Sequence, residues 1–160
     1  MPDSDRVYVW TWLPGATEPV VAGALEPDGR VHRFFYAESY LRRTEAISLY
    51  APELPLRPGW IDPGEGLRLA GALRDGSPDA WGRRVIEARL AVPDNSLREI
   101  DYLLASGSNR FGALDFQASA DRYLPRAEEA ALDELVEAVD LLHAGRELGR
   151  VLDEALLHGT

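Results

Sequence analysis

The chain has 160 residues, 46% of them hydrophobic and 28% charged, with a formal net charge of −10. This length suits one compact domain or two small ones. Four tryptophans, six tyrosines and four phenylalanines supply packing anchors that a disordered chain usually lacks. There is no cysteine, which excludes disulfides, thiolate metal sites and cysteine catalysis. Every basic side chain is an arginine, which excludes mechanisms that need a lysine.

Charge and hydropathy limit the kinds of partner that this chain is expected to bind. A net charge of −10 and a pI near 4.7 repel a phosphate backbone, so we expect no autonomous binding of nucleic acid. No apolar run approaches the ~20 residues that a membrane-spanning helix needs. The first residues are acidic and lack the apolar stretch of a signal peptide. These features predict a cytoplasmic protein without a membrane partner.

The first part of the chain is typical of a small antiparallel sheet. β-Branched and aromatic residues predict three strands, over residues 7–12, 19–25 and 31–36. Pro27 and Gly29 predict a turn over residues 26–30, with the proline at its second position. Short turns between consecutive strands predict an antiparallel meander.

An irregular stretch follows the predicted meander. Residues 47–50 predict one more short strand. Residues 52–63 contain four prolines, which no regular element tolerates in its interior. We therefore expect an extended, partly buried loop there.

Helices are predicted next. Apolar spacing predicts a short helix over residues 66–73. Ser77 is a good N-cap and Pro78 suits the first helical position, so a second helix is expected from there to about Leu90. Trp81 lies on the apolar face of this helix, and we expect it to be a packing anchor.

A third helix and a last strand complete this part of the chain. Ser96 is the predicted N-cap of a helix that runs to about Ala105, and Gly107 is expected to end it in a left-handed conformation. A strand is predicted over residues 113–117. Gly112 joins a turn to this strand, so we expect a backbone conformation there that a side chain disfavours.

The C-terminal part differs in character, and the predicted domains reflect this. Residues 1–117 form one unit, residues 118–126 a linker, and residues 127–160 a helical segment. Two acidic amphipathic helices are predicted there, with apolar residues at helical spacing: Leu132, Leu135, Val136, Val139 and Leu142, then Leu148, Val151, Leu152, Ala155 and Leu156. We interpret these stripes as partner-facing. The alternative is that both helices fold back onto the sheet and close its core.

The fold class predicted for the whole chain is α+β, with a small curved antiparallel sheet or partial barrel packed by helices, followed by these two acidic helices.

Motifs for catalysis are absent from the sequence. The three histidines lie far apart and share no metal-ligand spacing, and we interpret His32 as a satisfied structural residue. Ser106 and Ser108 do not form a nucleophile elbow. Carboxylate pairs such as Asp75 with Asp79 are expected by chance among 27 acidic residues. The glycines match neither a phosphate loop nor a dinucleotide fingerprint.

Four segments together resemble the N-terminal part of the HipA family, bacterial serine/threonine kinases that act as toxins of type II toxin–antitoxin pairs. In chain order they are Phe34 and Tyr36 with Tyr40 and Leu41, residues 47–56 (ISLYAPELPL), residues 73–84 (LRDGSPDAWGRR) and residues 107–114 (GSNRFGAL). The resemblance covers about residues 6–117. Asn109 stands where the family usually has an aspartate.

The resemblance implies a non-catalytic N-terminal module that supports the kinase lobe. The phosphate loop and the nucleotide, catalytic and metal-binding residues of the family would lie beyond Thr160. We therefore expect no catalytic, cofactor or metal site here, and ATP and Mg²⁺ only in a full-length kinase. The implied partners are a kinase core, in cis or in trans, and a HipB-like antitoxin; a homo-oligomer is also considered. Two alternatives remain open: a free-standing antitoxin-like protein that restrains a separately encoded kinase, and an independent small-molecule enzyme.

Structural or interaction roles are assigned to residues of the two turn motifs and of the C-terminal stripes. These residues are Asp79, Trp81, Arg83, Asn109, Gly112, Leu135, Val139, Val151 and Leu152.

Overall fold

The computed structural model describes residues 5–108 and 112–126. The two acidic helices predicted over residues 127–160 lie outside the described residues, as does Asn109. The elements follow in chain order as β1 (Val7–Thr11), β2 (Val20–Asp28), β3 (Val31–Tyr36), α1 (Glu38–Leu41), α2 (Gly71–Arg74), α3 (Ala80–Leu90), α4 (Glu99–Ala105) and β4 (Leu114–Gln117).

The four strands form one open antiparallel sheet in the order β3-β2-β1-β4. β1 lies between β2 and β4, so that Tyr8 pairs with Ala24 on one side and with Gln117 on the other. The predicted meander of β1, β2 and β3 is confirmed, as is the α+β class. The sheet is open, because its two edge strands, β3 and β4, do not pair with each other.

The turn between β2 and β3 is tighter than predicted. The sequence placed Pro27 inside a turn over residues 26–30, but it is a strand residue that pairs with His32. The pairing of β1 with β2 ends at Leu25, so no strand on that side requires the N–H that proline lacks. The turn itself has only two residues, and Gly29 supplies the positive φ of 62° at its first position.

The strand predicted over residues 47–50 is wrong. Only Tyr50 makes an isolated bridge, with Leu54. The loop predicted over residues 52–63 is confirmed, and it is partly buried through Leu54 and Ile61. Ile61 also bridges to Phe34 and thereby covers the outer edge of β3.

The boundaries of α2, α3 and α4 differ from the prediction. The helix expected over residues 66–73 is confined to α2: Gly66 has a φ of 77°, and the Arg68 carbonyl accepts the His32 N–H of β3 at 2.7 Å instead of forming a helical hydrogen bond. The N-cap of α3 is Asp79 instead of Ser77, since the Asp79 carboxylate accepts the N–H of Gly82 at 2.8 Å.

The boundaries of α4 also moved. Its N-cap is Arg98 instead of Ser96, and the Asp101 carboxylate accepts the Arg98 N–H at 2.9 Å. The helix ends in extended backbone at Ser106, and Gly107 is not among the positive-φ residues, so the predicted left-handed cap there is wrong.

The core lies on one face of the sheet. Val7, Val9, Phe34 and Phe116 point into it from the strands, and residues from α1, α2, α4 and the loop of residues 52–63 complete it. The helices therefore cover this face, and the hydrophobic contacts that stabilise the fold are concentrated there.

His32 is a buried polar residue at the edge of this core. The residue is 8% exposed, and both of its ring nitrogens are buried without a hydrogen-bond partner among residues 5–108 and 112–126. The prediction of a satisfied histidine is therefore wrong. Burial lowers the pKa of His32, and the nearby Arg98 lowers it further, although Asp101, Asp5 and Glu99 act in the opposite direction.

We predict that the domain becomes less stable as the pH is lowered, because His32 is then forced to take up a proton. The pKa of His32 is lower in the folded than in the unfolded chain, so the unfolded chain binds more protons as the pH drops below about 6.5. The stabilisation that depends on a neutral His32 is fully present above that pH and is lost progressively as the pH falls through the pKa of the folded state. Urea unfolding from pH 7.5 to pH 5 should show a smaller loss in His32→Leu than in the wild type. Parallel curves for the two proteins would contradict the assignment.

Candidate functional site

A groove opens where β1 ends and β4 begins. Its volume is about 470 Å³, and its lining includes Thr11, Trp12, Ile47, Leu49, Asp75 and Gly112. We call it the strand-end groove. One wall comes from the ends of β1 and β4, a second from residues 47–49, and the rest from the end of α2.

Two tyrosine hydroxyls hold the second wall in place. Tyr36 accepts the Leu49 N–H at 2.9 Å and donates to the Leu54 carbonyl at 2.6 Å. Tyr40 donates to the Ile47 carbonyl at 3.0 Å. Both hydroxyl groups lie against the core, so residues 47–54 are fixed by polar contacts although they contain no strand.

The floor of the groove is fixed by α2 and by a close approach to β4. The Glu53 carboxylate accepts the Ala72 N–H at 2.8 Å and so caps the start of α2. At the other end of the helix, Gly76 lies against Phe116, and a Cβ atom there would meet the Phe116 ring at 2.7 Å. A glycine is therefore required at this position.

Asp75 is the one ionisable residue that lines the groove. It is exposed, and its carboxylate makes no hydrogen bond or ion pair within residues 5–108 and 112–126. The rim near it is apolar: Ile47 is 47% exposed, and Tyr50 and Leu56 continue this surface along the loop. Among the described residues, the groove combines a mostly apolar lining with one exposed carboxylate, an arrangement that is suited to binding.

Of the residues predicted as sites, Asp79 and Arg83 serve the packing of α3 against α4. Asp79 caps α3, as described above. Arg83 binds Glu99 through two hydrogen bonds, of 2.9 and 2.7 Å, and also contacts the Pro78 carbonyl and the Ser77 hydroxyl.

The Arg83–Glu99 pair is half-buried, and its electrostatics favour both charges. The hydrogen bonds from Arg83 lower the pKa of Glu99 against the opposing effect of burial. The guanidinium group also lies 4.5 Å from the centre of the Tyr102 ring. Tyr102 in turn donates to Glu87, whose carboxylate accepts the Asn95 N–H. This network joins α3 to α4 and leaves Arg83 unavailable to a ligand.

The remaining predicted residues are separated. Trp81 is half-buried and is not part of the hydrophobic core. The predicted role as a packing anchor depended on full burial, which is not observed. Gly112 lies at the groove with a φ of 103°, which confirms the expected special conformation. Leu135, Val139, Val151 and Leu152 lie outside the described residues.

A buried carboxylate was missed in the sequence. Asp115 in β4 is fully buried and binds the Arg126 guanidinium at 2.9 Å and the Tyr123 hydroxyl at 3.0 Å. Burial alone raises its pKa, but hydrogen bonds from Ser108 and the Phe116 N–H, with the charge of Arg126, hold that pKa below the ordinary value. The signal was a charged residue between the apolar Leu114 and Phe116 of a short strand.

This carboxylate organises the segment predicted as a linker. Residues 118–126 lie against the sheet, where the Tyr123 ring packs on Trp10 and Trp12 at 5.4 and 5.2 Å between ring centres. The Trp10 indole donates to the Ser119 carbonyl at 3.2 Å. Within the described part of the chain, these residues therefore extend the sheet unit as far as Arg126.

Residues 5–108 and 112–126 contain neither a cluster of metal ligands nor a membrane-spanning helix. No cluster of three or more histidine, aspartate or glutamate side chains is arranged to hold a metal ion. None of the helices in this part of the chain is both long and apolar enough to cross a membrane.

The segments that resemble a family converge on the strand-end groove. The second segment supplies Ile47, Ser48 and Leu49 to one wall, and the third supplies Asp75 and Gly76. The described end of the fourth segment, residues 112–114, supplies the opposite side. Tyr36 and Tyr40 of the first segment hold the wall of the second segment. A comparison with protein-family models matches residues 12–117 to the HipA N-terminal domain.

The chain belongs to the HipA N-terminal domain family. The match covers all four segments, and it spans β2 through β4 of the sheet. A search of curated proteins found no significant match. This domain is a non-catalytic region of the HipA family.

We predict that a side chain at Gly112 strains the backbone. A Cβ atom there meets nothing within 4 Å, so any loss of stability in Gly112→Ala arises from the φ of 103° alone. The expected loss is about 1–3 kcal/mol in urea unfolding. Gly64→Ala is the matched control, because φ is ordinary there and the Cβ atom would contact Leu67 at 3.6 Å. Equal stability of the two variants would refute the claim.

A second prediction concerns the Arg83–Glu99 pair. Arg83→Lys cannot keep two parallel hydrogen bonds to Glu99, so we expect a loss of about 1–3 kcal/mol. Arg42→Lys changes the exposed pair with Glu38 and should lose less than about 0.5 kcal/mol. Thermal unfolding of both variants measures the difference, and an Arg83→Lys variant as stable as the wild type would contradict the structural role.

Proposed function

We propose that this HipA N-terminal domain is the non-catalytic module of a HipA-like serine/threonine kinase toxin, and that it acts by binding and supporting the kinase core. The observation that carries the proposal is the convergence of the four family-like segments on one groove. Segments that are distant in the chain serve a common surface, and this surface has the chemistry of a protein-binding site.

The polar chemistry of the domain supports a binding role over catalysis. Two of the carboxylates with a lowered pKa, Glu99 and Asp115, are engaged with Arg83 and Arg126 inside the fold. Phosphoryl transfer requires donors that cradle the phosphates and carboxylates that hold Mg²⁺ in one cleft. The groove offers Asp75 alone, and the chain has no lysine.

The partner follows from the same family assignment. The proposed partner is the kinase core, joined in cis or supplied in trans, and contacts with a HipB-like antitoxin are part of the proposal. The acidic segment of residues 127–160 is proposed to lead toward the kinase lobe. It carries the apolar residues Leu135, Val139, Val151 and Leu152.

The first test is nucleotide binding by the isolated chain. Calorimetry with Mg-ATP should give no heat beyond dilution, because phosphate donors and a metal cluster belong to the kinase core in this proposal. A site of micromolar affinity on this chain would overturn the assignment as a non-catalytic module.

The second test is association with a HipA-like kinase core from the same organism. Sedimentation velocity should show a complex, and kinase activity should be kept or increased in its presence. Loss of activity on complex formation would favour the alternative, an antitoxin-like protein that restrains the kinase. Absence of any complex would contradict both.

A further inference from the structure

The strand-end groove is the strongest unassigned surface of the domain. Its volume of about 470 Å³ lies within the range of about 300–1,000 Å³ typical of ligand sites. Small-molecule sites, however, have several polar groups that converge on the ligand. Here the lining is mostly apolar, and the exposed Ile47, Tyr50 and Leu56 extend the apolar surface beyond the groove. The groove is therefore better suited to the apolar side chains of a macromolecule than to a small polar ligand.

Two arginine side chains near the surface are engaged within the domain. Arg33 pairs with Asp28 and Asp62 and lies 5.2 Å from the centre of the Trp60 ring. Arg83 is engaged by Glu99, as described above. Asp75 differs from these residues because its carboxylate is exposed at an apolar groove and makes no pair in the described part of the chain.

Charge complementarity indicates which kind of segment suits the groove. The one ionisable residue in the lining is Asp75, and the chain has a net charge of −10. In a symmetric dimer through this groove, a second copy would bring its own Asp75 to the same place, so that two like charges would face each other. The chain's own residues 127–160 carry nine acidic residues and two arginines. Both are electrostatically poorer occupants than a cationic segment.

We propose that the strand-end groove binds a short segment of a partner protein in which apolar side chains fill the groove and an arginine or lysine pairs with Asp75. Ile47 supplies the apolar rim of the contact, and Trp12 and Leu114 supply the inner wall. That the kinase core carries this segment rests on the proposed function. The chemistry of the groove does not depend on it.

The experiment uses the full chain and two blocked ten-residue peptides as probes. One peptide consists of leucine, alanine and arginine, and the other has glutamate in place of each arginine. Fluorescence anisotropy of the labelled peptides should show saturable binding of the arginine peptide. The glutamate peptide should bind at least about ten-fold more weakly. Absence of saturable binding, or equal binding of the two peptides, overturns the proposal.

Matched variants locate the site. Ile47→Asp should weaken binding by at least about ten-fold, because it removes a buried apolar contact. Leu90→Asp is its control, since Leu90 is also 47% exposed but lies on α3 away from the groove. Asp75→Asn should weaken binding about two- to five-fold. Asp94→Asn, which removes the same charge from an exposed turn, should leave the affinity unchanged.

The remaining outcomes are also decisive. Equal losses in each variant and its control would show nonspecific attraction to an acidic protein and overturn the proposal. So would a concentration-dependent dimer that Ile47→Asp abolishes, because a second copy would then occupy the groove. Circular dichroism of each variant verifies that it is folded. If the peptide binds as predicted but no kinase core associates, the groove assignment stands and the proposed function fails.

Discussion

The pairing of β1 with β4 is the constraint on which the rest of the structure depends. β1 comprises residues 7–11 and β4 residues 114–117, so the two strands meet only after about a hundred intervening residues have been placed. Those residues include α1 to α4, and Phe116 of β4 packs into the core that the helices cover. Gly76 permits this packing because a side chain there would meet the Phe116 ring. The same pairing brings Thr11 beside Leu114 and so forms one wall of the strand-end groove.

The polar residues include some that stabilise the fold and some that make no pair within the described part of the chain. Arg83 with Glu99 joins two helices, and Asp115 with Arg126 ties the segment after β4 to the sheet. In both pairs the hydrogen bonds compensate the burial of charge. Asp75 is not used in this way, although it lies in the same family-like segment as Arg83. One segment therefore contributes both a structural ion pair and an unpaired carboxylate at the groove.

The sequence predicted those elements whose pattern is local. Strands β1 to β3 show strong β-branched and aromatic character, and their meander was correct. The N-cap of α3 was misplaced by two residues because Ser77 and Asp79 are both good caps, and only the structure shows which carboxylate or hydroxyl accepts the Gly82 N–H. Residues 47–50 were predicted as a strand because apolar alternation cannot reveal that the hydroxyl groups of Tyr36 and Tyr40 hold them in another conformation.

The candidate site was harder to predict than the fold. The groove combines three segments that are distant in the chain, and nothing in the local pattern of Asp75 or Ile47 distinguishes them from other exposed residues. Arg83 was singled out correctly as an ordered residue, but its partner Glu99 depends on how α3 packs against α4. The family-like segments gave the better signal, because they mark the stretches that line the groove without showing that they meet.

The most direct test of the account is an NMR titration of the ¹⁵N-labelled chain with a HipA-like kinase core. The account predicts chemical-shift changes concentrated in the amides of residues 47–49, 75–76 and 112–114, with the hairpin of β2 and β3 unchanged. Changes confined to the outer face of the sheet around Phe35 and Trp60, with the groove amides unaffected, would contradict it.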